Sequence, residues 1–412
     1  MTTGRRDGVD SGRAWLVVAG TFLASFVSLG IAYSFGAFFT DMAAEFDTTR
    51  GATAVVFGIT TFAFFWLSLL TGRAADVWGP RPVLGVGALA LLVGLVATSR
   101  VGSLELGYVT YGAGVGVAAA CGYIPMVAMV GGWFEHHRAS AVGLAVAGIG
   151  AGTLVMSPVS AALVERIGWR DTFVVLGVGG AVVLAGCSAL VARPPGHAGG
   201  GRQPARFGDA FRSTVFRRLH RSALCSGLAL FVPFIFLGQY AEERGVGPVA
   251  AAVLVGILGG ASVLARIGFG SAVRRFGSVP LYRGCFVLLS IGFALWLAAG
   301  SSYWRLLVVA LVIGTGYGGF VALSTIVLAD RFGVVGLGSV MGLFYTSQGL
   351  GGLVGPPVAG WLVDRTGGYT VPVLLCCGLA ALGRLLLIGL PVTASGALAP
   401  EPVAAVAPAP AN

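Results

Sequence analysis

The sequence predicts an all-α membrane protein in which twelve transmembrane helices form two similar six-helix bundles. Three observations carry this prediction: long apolar runs, a segment that occurs twice, and an uneven distribution of arginines. Of the 412 residues, 56% are hydrophobic and only 10% are charged, and the mean hydropathy is +0.90. An average soluble domain has roughly 25% charged residues, so the composition excludes a soluble fold.

Apolar runs long enough to cross a membrane recur along almost the whole chain. About 20 apolar residues span a hydrocarbon layer about 30 Å thick, at a rise of about 1.5 Å per residue. The predicted spans are 14–40, 51–71, 82–99, 104–133, 139–164, 170–192, 221–242, 248–271, 280–300, 304–329, 336–363 and 369–391.

One sequence pattern occurs twice, at 143–173 and again at 342–372. The two copies share the order of their glycines, a proline and an acid–arginine pair without a change of register. A second match at nearly the same offset joins Gly72 and Gly79 to Gly270 and Gly277. Repetition over this length indicates two homologous halves rather than one similar helix.

The repeat and the composition together predict four parts of the chain. These are an N-terminal six-helix bundle at 1–192, a cytoplasmic linker at 193–220, a C-terminal six-helix bundle at 221–392 and a disordered tail at 393–412. The tail is rich in alanine and proline and has no periodic face. In the linker, apolar residues alternate with arginines from Phe207 to Leu219, which suits either an amphipathic helix on an anionic leaflet or a solvated basic loop.

The arginines predict the orientation in the membrane. All 26 basic residues are arginine; seventeen fall in loops on the side of the N-terminus and seven on the opposite side. Positive charge accumulates on the cytoplasmic side of membrane proteins, so both termini are expected in the cytoplasm, with the protein in the inner (plasma) membrane. The net charge of +10 is therefore assigned to topology, and no nucleic-acid partner is expected.

The loop between the second and third spans carries glycine, acid, glycine and arginine at Gly72, Asp76, Gly79 and Arg81. This spacing resembles the signature of the major facilitator superfamily, whose plan is two six-helix halves around a cavity exposed to each side in turn. We expect these four residues to act as a conformational switch. The second half has Arg274 where the first has Asp76, so the switch is assigned to the first half.

Arg266 indicates the class of substrate. Inserting an arginine in the middle of a span into the membrane costs about 2.5–3.5 kcal/mol on insertion scales, so such a residue usually has a functional partner. A guanidinium holds a carboxylate by two parallel hydrogen bonds, which indicates an organic anion as the substrate. The alternative is that Arg266, four residues before Gly270, extends to the membrane surface and supports the loop.

The remaining polar groups in the spans are mainly hydroxyls and aromatic rings. Five of them are candidate substrate contacts beside Arg266: Tyr33, Tyr123, Gln239, Tyr317 and Tyr345. No acidic residue or histidine lies well inside a predicted span, so the sequence does not support a proton relay. It contains no metal-ligand cluster, phosphate loop or nucleophile–base pair either, and we expect neither a cofactor nor enzymatic activity.

Several motifs resemble the monocarboxylate transporter family of that superfamily. They are the segment from Asp10 to Trp15 before the first helix, the segment from Trp133 to Arg138 before the fifth, and Gly168-Trp169-Arg170 before the sixth. The family has an arginine in helix 8 followed four residues later by glycine, and Arg266 with Gly270 matches it. The resemblance implies carboxylate binding at Arg266, with Tyr123 and Tyr317 facing the cavity.

The sequence also departs from that family. Many animal members have a lysine in helix 1 and an aspartate four residues before the arginine, whereas this chain has no lysine and has Ser262 at the second position. The resemblance therefore does not extend to proton symport. Oxalate/formate antiporters use a lysine in helix 11, which is also missing, so one negative charge balances the single embedded cation best.

We therefore expect a monomeric carrier in the lipid bilayer that moves a small organic monocarboxylate such as lactate or pyruvate by alternating access. Two alternatives stay open. The same fold could export amphipathic, drug-like compounds, or the protein could be a membrane sensor or scaffold that uses its basic central loop as the output.

Overall fold

A computed structural model of the chain describes residues 9–194, 211–332 and 337–390. Nine helical segments within these residues are long and apolar enough to cross a membrane. One of them, Ser140–Leu190, is 51 residues long and bends at Gly168, which has φ 78° and ψ 163°. Counting that segment as two spans, and adding the helices at 337–366 and 370–386, gives the twelve that the sequence predicts.

The first half contains six spans, two of which are built from more than one helix. Its elements are α1 (Gly12–Tyr33), α2 (Gly36–Glu45), α3 (Arg50–Trp78), α4 (Pro80–Thr98), α5 (Leu104–Gly107), a π-helix (Tyr108–Ala113), α6 (Gly114–Gly122), α7 (Ile124–Val130) and α8 (Arg138–Leu190). The first span is α1 with α2, the fourth runs from α5 to α7, and α8 makes the fifth and sixth.

The second half repeats this plan. Its elements are α9 (Thr214–Leu230), α10 (Val232–Glu242), α11 (Pro248–Phe276), α12 (Ser278–Ala299), α13 (Tyr303–Phe332), α14 (Leu337–Thr366) and α15 (Thr370–Leu386). The seventh span combines α9 and α10, as α1 and α2 form the first. The predicted all-α architecture is confirmed over the described residues.

The helix of the seventh span begins inside the segment that the sequence assigns to the linker. Ser213 caps it by accepting a hydrogen bond from the backbone of Phe216, as N-cap serines typically do. Phe216 and Leu219 are buried in the protein core at 0% and 1% exposure, so this part of the amphipathic stretch packs against protein. Residues 195–210 of the linker and the tail at 393–412 lie outside the described residues.

The backbone reproduces the internal repeat at equivalent turns. Gly79 has φ 97° and ψ 167°, and Gly277 has φ 78° and ψ 157°, conformations that side-chain-bearing residues rarely adopt. After each turn an arginine reaches the end of the last span of its own half. Arg81 donates to the carbonyl of Val191 at 3.1 Å, and Arg283 donates to that of Leu387 at 2.6 Å.

The halves meet along two helix pairs, α3 against α14 and α8 against α11. The duplicated segment supplies the fifth span of each half to this interface. A Cβ at Gly349 would lie 2.9 Å from Trp66 of the first half, and a Cβ at Gly150 would lie 3.1 Å from Ser262 of the second. The repeated glycines therefore allow the two halves to approach closely where lipid provides little hydrophobic drive.

The two ends of the helix bundle differ in charge. We call the end that carries Arg73, Arg81, Arg138, Arg274 and Arg283 the basic end. The opposite end carries Asp41, Glu45, Glu242, Glu243 and Asp364, and we call it the acidic end. The chain crosses from one end to the other with each span, which places the start of α1 at the basic end.

At the basic end, two of the motifs that carry the family resemblance dock on each other. Asp10 accepts hydrogen bonds from the backbone of Glu135 and His136, and its carboxylate lies 3.1 Å from Nδ1 of His136. The rings of Trp15 and Phe134 pack edge to face at 5.1 Å. Desolvation alone would raise the pKa of the Asp10 carboxyl, but the hydrogen bonds from His136 and its neighbours hold that pKa below its ordinary value.

Candidate functional site

A small cavity lies between the halves, at mid-length of the spans. Its volume is about 30 Å³, which is room for about one water molecule. Thirteen residues line it: Leu29, Tyr33, Phe64, Phe65, Tyr123, Ile124, Ile149, Phe231, Tyr317, Phe320, Val321, Tyr345 and Gln348. The lining comes from both halves, so any molecule held here contacts both of them.

Interruptions in three spans place side chains at this cavity. Tyr33 ends α1, Tyr123 separates α6 from α7 with φ −117° and ψ −80°, and Phe231 separates α9 from α10. Prolines follow two of these breaks, at Pro125 and Pro233, where their missing N–H is tolerated. Discontinuous helices near the midplane are a common way to form a substrate site in transporters.

Arg266 lies on α11 beside the cavity, next to the contact with α8. Its Nη1 donates a hydrogen bond of 2.9 Å to the carbonyl of Val146 in the other half. Its Nε and Nη2 are buried and have no hydrogen-bond partner among the described residues. These two nitrogens form one edge of the guanidinium plane, and such an edge can donate two parallel hydrogen bonds to a carboxylate.

The four tyrosines predicted from the sequence lie at the cavity beside this guanidinium. Its carbon lies 5.6 Å from the centre of the Tyr317 ring. All four tyrosines line the cavity. The structure therefore brings five of the six predicted substrate contacts together, from residues more than 300 positions apart in the chain.

The sixth predicted contact, Gln239, lies elsewhere. It is buried in α10 at 4% exposure, three residues before Glu242 at the acidic end, and it does not line the cavity. Gln348 lines the cavity instead, and its amide donates a 2.6 Å hydrogen bond to the carbonyl of Ala223. Sequence alone could not choose between the two glutamines, because both lie in apolar spans.

The four residues of the predicted switch lie at the basic end. Gly79 forms the turn between α3 and α4, and Arg193 donates there to the carbonyls of Asp76 and Val77. Arg81 contacts the end of α8 as described above. Gly72 has open space at its Cβ position, and the side chain of Asp76 is exposed. These contacts of Gly79, Arg81 and Arg193 all lie within the first half.

A polar network at the acidic end joins the two halves. Arg50, the first residue of α3, pairs with Glu243 at 2.8 Å and with Asp364 at 3.6 Å. Asp364 also accepts hydrogen bonds from the backbone N–H groups of Arg50 and Gly51, which is where a helix N-terminus favours negative charge. Tyr369 donates to Glu243 at 2.7 Å. We call Arg50, Glu243, Asp364 and Tyr369 the acidic-end network.

A second, larger recess of about 600 Å³ lies on the side of the second half, between α11 and α13. It is lined mainly by apolar residues, and among them Leu264 is 72% exposed. A recess that opens sideways from a membrane helix faces lipid, so its size does not make it a substrate site.

The sequence is similar to a superfamily of membrane transporters and to several of its members. The sequence matches the Major Facilitator Superfamily over residues 21–289 and 264–411. It is 31% identical to human monocarboxylate transporter 11 over 402 residues, which cover 93% of this chain and 84% of that protein. It is also 31% identical to rat monocarboxylate transporter 4, with 89% of this chain and 80% of that protein covered.

Solved structures with the same architecture are also transporters. A variant of the nucleoside transporter NupG superposes with a TM-score of 0.73 at 14% sequence identity, covering 91% of this chain and 99% of that one. A D-xylose–proton symporter superposes with a TM-score of 0.72 at 15% identity, covering 91% and 96%. At these identities the likeness concerns the fold alone.

Proposed function

Since the chain belongs to the major facilitator superfamily, and within it to the monocarboxylate transporter family, we propose that it moves a small organic monocarboxylate across the membrane by alternating access. Lactate and pyruvate are the simplest members of this substrate class.

The free edge of Arg266 is the observation that carries this proposal. A buried charged donor without a partner is costly, typically by more than the 1–3 kcal/mol of a neutral group. A carboxylate placed against Nε and Nη2 would satisfy both donors and balance the charge. Because these nitrogens are buried, the geometry favours substrate contact over an arginine whose head group reaches the membrane surface.

The way the halves pack supports alternating access. The cavity is small, and the acidic-end network bridges the halves on one side of it. For substrate to enter from the acidic end, Arg50 must separate from Glu243 and Asp364. The hydrogen bond from Arg266 to Val146 also crosses between the halves, so a carboxylate at Arg266 would bind where the halves move relative to each other.

We further propose that the basic end faces the cytoplasm and that the protein works as a monomer in the inner membrane. The arginine asymmetry supports this orientation. The acidic-end network then closes the outer side. Among the described residues, no carboxylate lines the cavity between the halves, which supports exchange or uniport rather than a proton relay through that cavity.

Counterflow tests the proposal independently of the coupling ion. Liposomes that contain the protein are preloaded with unlabelled lactate or pyruvate, and the uptake of labelled acid is followed. We expect counterflow in the wild type and its loss in Arg266→Gln. Arg384→Gln is the matched control, because Arg384 is also an arginine in an apolar span but has an exposed side chain.

Counterflow that is equal in the wild type and in Arg266→Gln would contradict the assignment of the carboxylate site. If the protein moves neither acid, the apolar lining favours the second candidate, export of amphipathic compounds. Dye efflux from cells that express the protein measures that activity. A sensor or scaffold would show neither activity, and deleting residues 195–210 would then abolish its output.

A further inference from the structure

The inference in this subsection rests on the function proposed above and concerns which monocarboxylate the cavity prefers. We propose that the favoured substrate has a flat aromatic body, as in an arylalkanoic acid, rather than the short body of lactate. Three features of the cavity support this proposal: its aromatic lining, the packing of its rings between the halves, and the polar groups that are already hydrogen-bonded.

The cavity lining is unusually aromatic. Eight of its thirteen residues are phenylalanine or tyrosine, although aromatic residues make up 10% of the chain. Four of the eight come from each half. Ligand pockets are mostly apolar with a few placed polar groups, but a methyl-sized substrate body does not require aromatic side chains from both halves.

Rings from opposite halves pack directly against each other across the cavity. Phe65 and Tyr345 stack at 5.8 Å with an angle of 15° between their planes. Phe65 also lies 6.2 Å from Phe231, and Tyr33 lies 6.5 Å from Phe231. The cavity holds only about 30 Å³, so substrate can enter only when these rings separate. A flat ring could then take the place of the lost partner and restore the stacking.

Two of the polar groups in the lining are already hydrogen-bonded to other parts of the protein. The hydroxyl of Tyr345 is 3.1 Å from that of Ser324, and the amide of Gln348 is bonded to Ala223. Within the part of the chain that the structure describes, no charged residue belongs to the lining itself. Arg266, beside the lining, is thus the charged partner for the carboxylate, and the rest of the substrate contacts a lining made mainly of aromatic and aliphatic side chains.

The size of the preference follows from the apolar contacts. One methylene in a hydrophobic pocket changes discrimination by about 10- to 200-fold. A phenyl ring adds more apolar surface than one methylene. We therefore expect 3-phenylpropionate to half-saturate transport at a concentration at least about 10-fold lower than propionate or lactate does.

A competition series tests both the ring and its planarity. Counterflow of labelled lactate and of labelled 3-phenylpropionate is measured against unlabelled propionate, 3-cyclohexylpropionate and 3-phenylpropionate, after subtraction of passive uptake by protein-free liposomes. The phenyl acid should compete best and the cyclohexyl acid, which is apolar but not flat, less well. Equal competition by all three acids, or by the two ring acids, would overturn the inference.

Two phenylalanines on the same helix provide the matched variants. Phe65→Leu changes a ring that lines the cavity, whereas Phe62→Leu changes one that stacks on Trp66 and does not line it. We expect the advantage of 3-phenylpropionate over propionate to shrink in Phe65→Leu and to persist in Phe62→Leu. Persistence in both variants would contradict the inference.

The same assays separate failure of the inference from failure of the proposed function. Lactate counterflow that depends on Arg266 but shows no preference for the phenyl acid would overturn the inference alone. If neither labelled acid shows counterflow that Arg266→Gln abolishes, the proposed function fails and the inference fails with it.

Discussion

Replacing Arg50 with glutamine should open the acidic end of the protein more often. The substitution removes the pairs with Glu243, at 2.8 Å, and with Asp364, at 3.6 Å. Both pairs join the two halves, so their loss disfavours the state in which the acidic end is closed. The hydrogen bonds from the backbone of Arg50 and Gly51 to Asp364 remain, which limits the effect.

The structure sets the expected magnitude. The side chains of Arg50 and Glu243 are each 40% exposed, and that of Asp364 is 21% exposed, so solvent screens both pairs. Exposed ion pairs contribute about 0.2–1 kcal/mol each, which gives roughly 0.5–2 kcal/mol for the two. That energy changes the ratio of open to closed states by about 2- to 30-fold, since each 1.4 kcal/mol is about tenfold. Asp364→Ala removes one ion pair and the two backbone hydrogen bonds but leaves the pair between Arg50 and Glu243, so its effect should be of similar size.

Double electron–electron resonance, which measures distances between pairs of spin labels, provides the assay. Labels at positions 166 and 365, which are exposed and equivalent in the two halves, report the separation of the halves at the acidic end in a background without native cysteines. Arg50→Gln should increase the population at long distance, and Arg100→Gln, an exposed arginine at the same end, should not. Distance distributions that are the same in Arg50→Gln and wild type would refute the reasoning, as would an equal change in the control.

Three further predictions concern stability and are checked by thermal unfolding of the purified protein. Glu45→Gln weakens the hydrogen bonds that Arg170 donates at 2.6 and 3.2 Å. It should lower the free energy of unfolding by only about 1 kcal/mol, because both side chains are partly exposed. Gly94→Val should lower the free energy of unfolding by about 1–3 kcal/mol through overpacking, since a Cβ there would lie 2.8 Å from backbone atoms of the fourth span. Gly85→Val, on the same helix, is the control: its side chain meets open space, so the loss should be smaller. Asp10→Asn should destabilise the protein at pH 7, and the difference from wild type should close as the pH falls below 3.8, because the lowered pKa of Asp10 stabilises the fold only while the carboxyl is ionised.

The fold was predictable from the sequence because its two signals are local. Hydropathy marks each span, and the repeated glycines identify the fifth span of each half. In the structure, these glycines lie where helices contact each other. Gly150 and Gly349 face the opposite half, whereas Gly351 lies against Gly227 of its own half. The boundary at Thr214 was missed because Arg217 and Arg218 break the apolar run, although the neighbouring apolar residues pack into the core.

The candidate site was predictable in part. An arginine inside an apolar span is rare enough to be found by inspection, and the breaks near Tyr123 and Phe231 are accompanied by prolines. Gln239 was chosen by residue type, but the position of a side chain around a helix axis depends on packing against distant elements. The structure places it away from the cavity that Gln348 lines.

The acidic-end network was not found from the sequence. Arg50, Glu243 and Asp364 are about 120 to 310 positions apart, and each resembles an ordinary charged residue at the end of a helix. The contact between α3 and α14 brings Arg50 to Asp364, whereas Glu243 reaches them from the end of α10. A weak signal existed, because Asp364 belongs to the acid–arginine pair that the repeat preserves.

Equilibrium binding tests the central claim most directly, because loss of flux in Arg266→Gln could also arise from loss of the hydrogen bond to Val146. Thermal unfolding of the purified protein is followed as pyruvate or 3-phenylpropionate is added, with chloride at equal ionic strength as the control. A ligand that binds the folded state stabilises it in proportion to the logarithm of its concentration above Kd. We expect stabilisation of the wild type and of Arg384→Gln, and none of Arg266→Gln. Equal stabilisation of all three proteins would contradict the assignment of Arg266 as the carboxylate site.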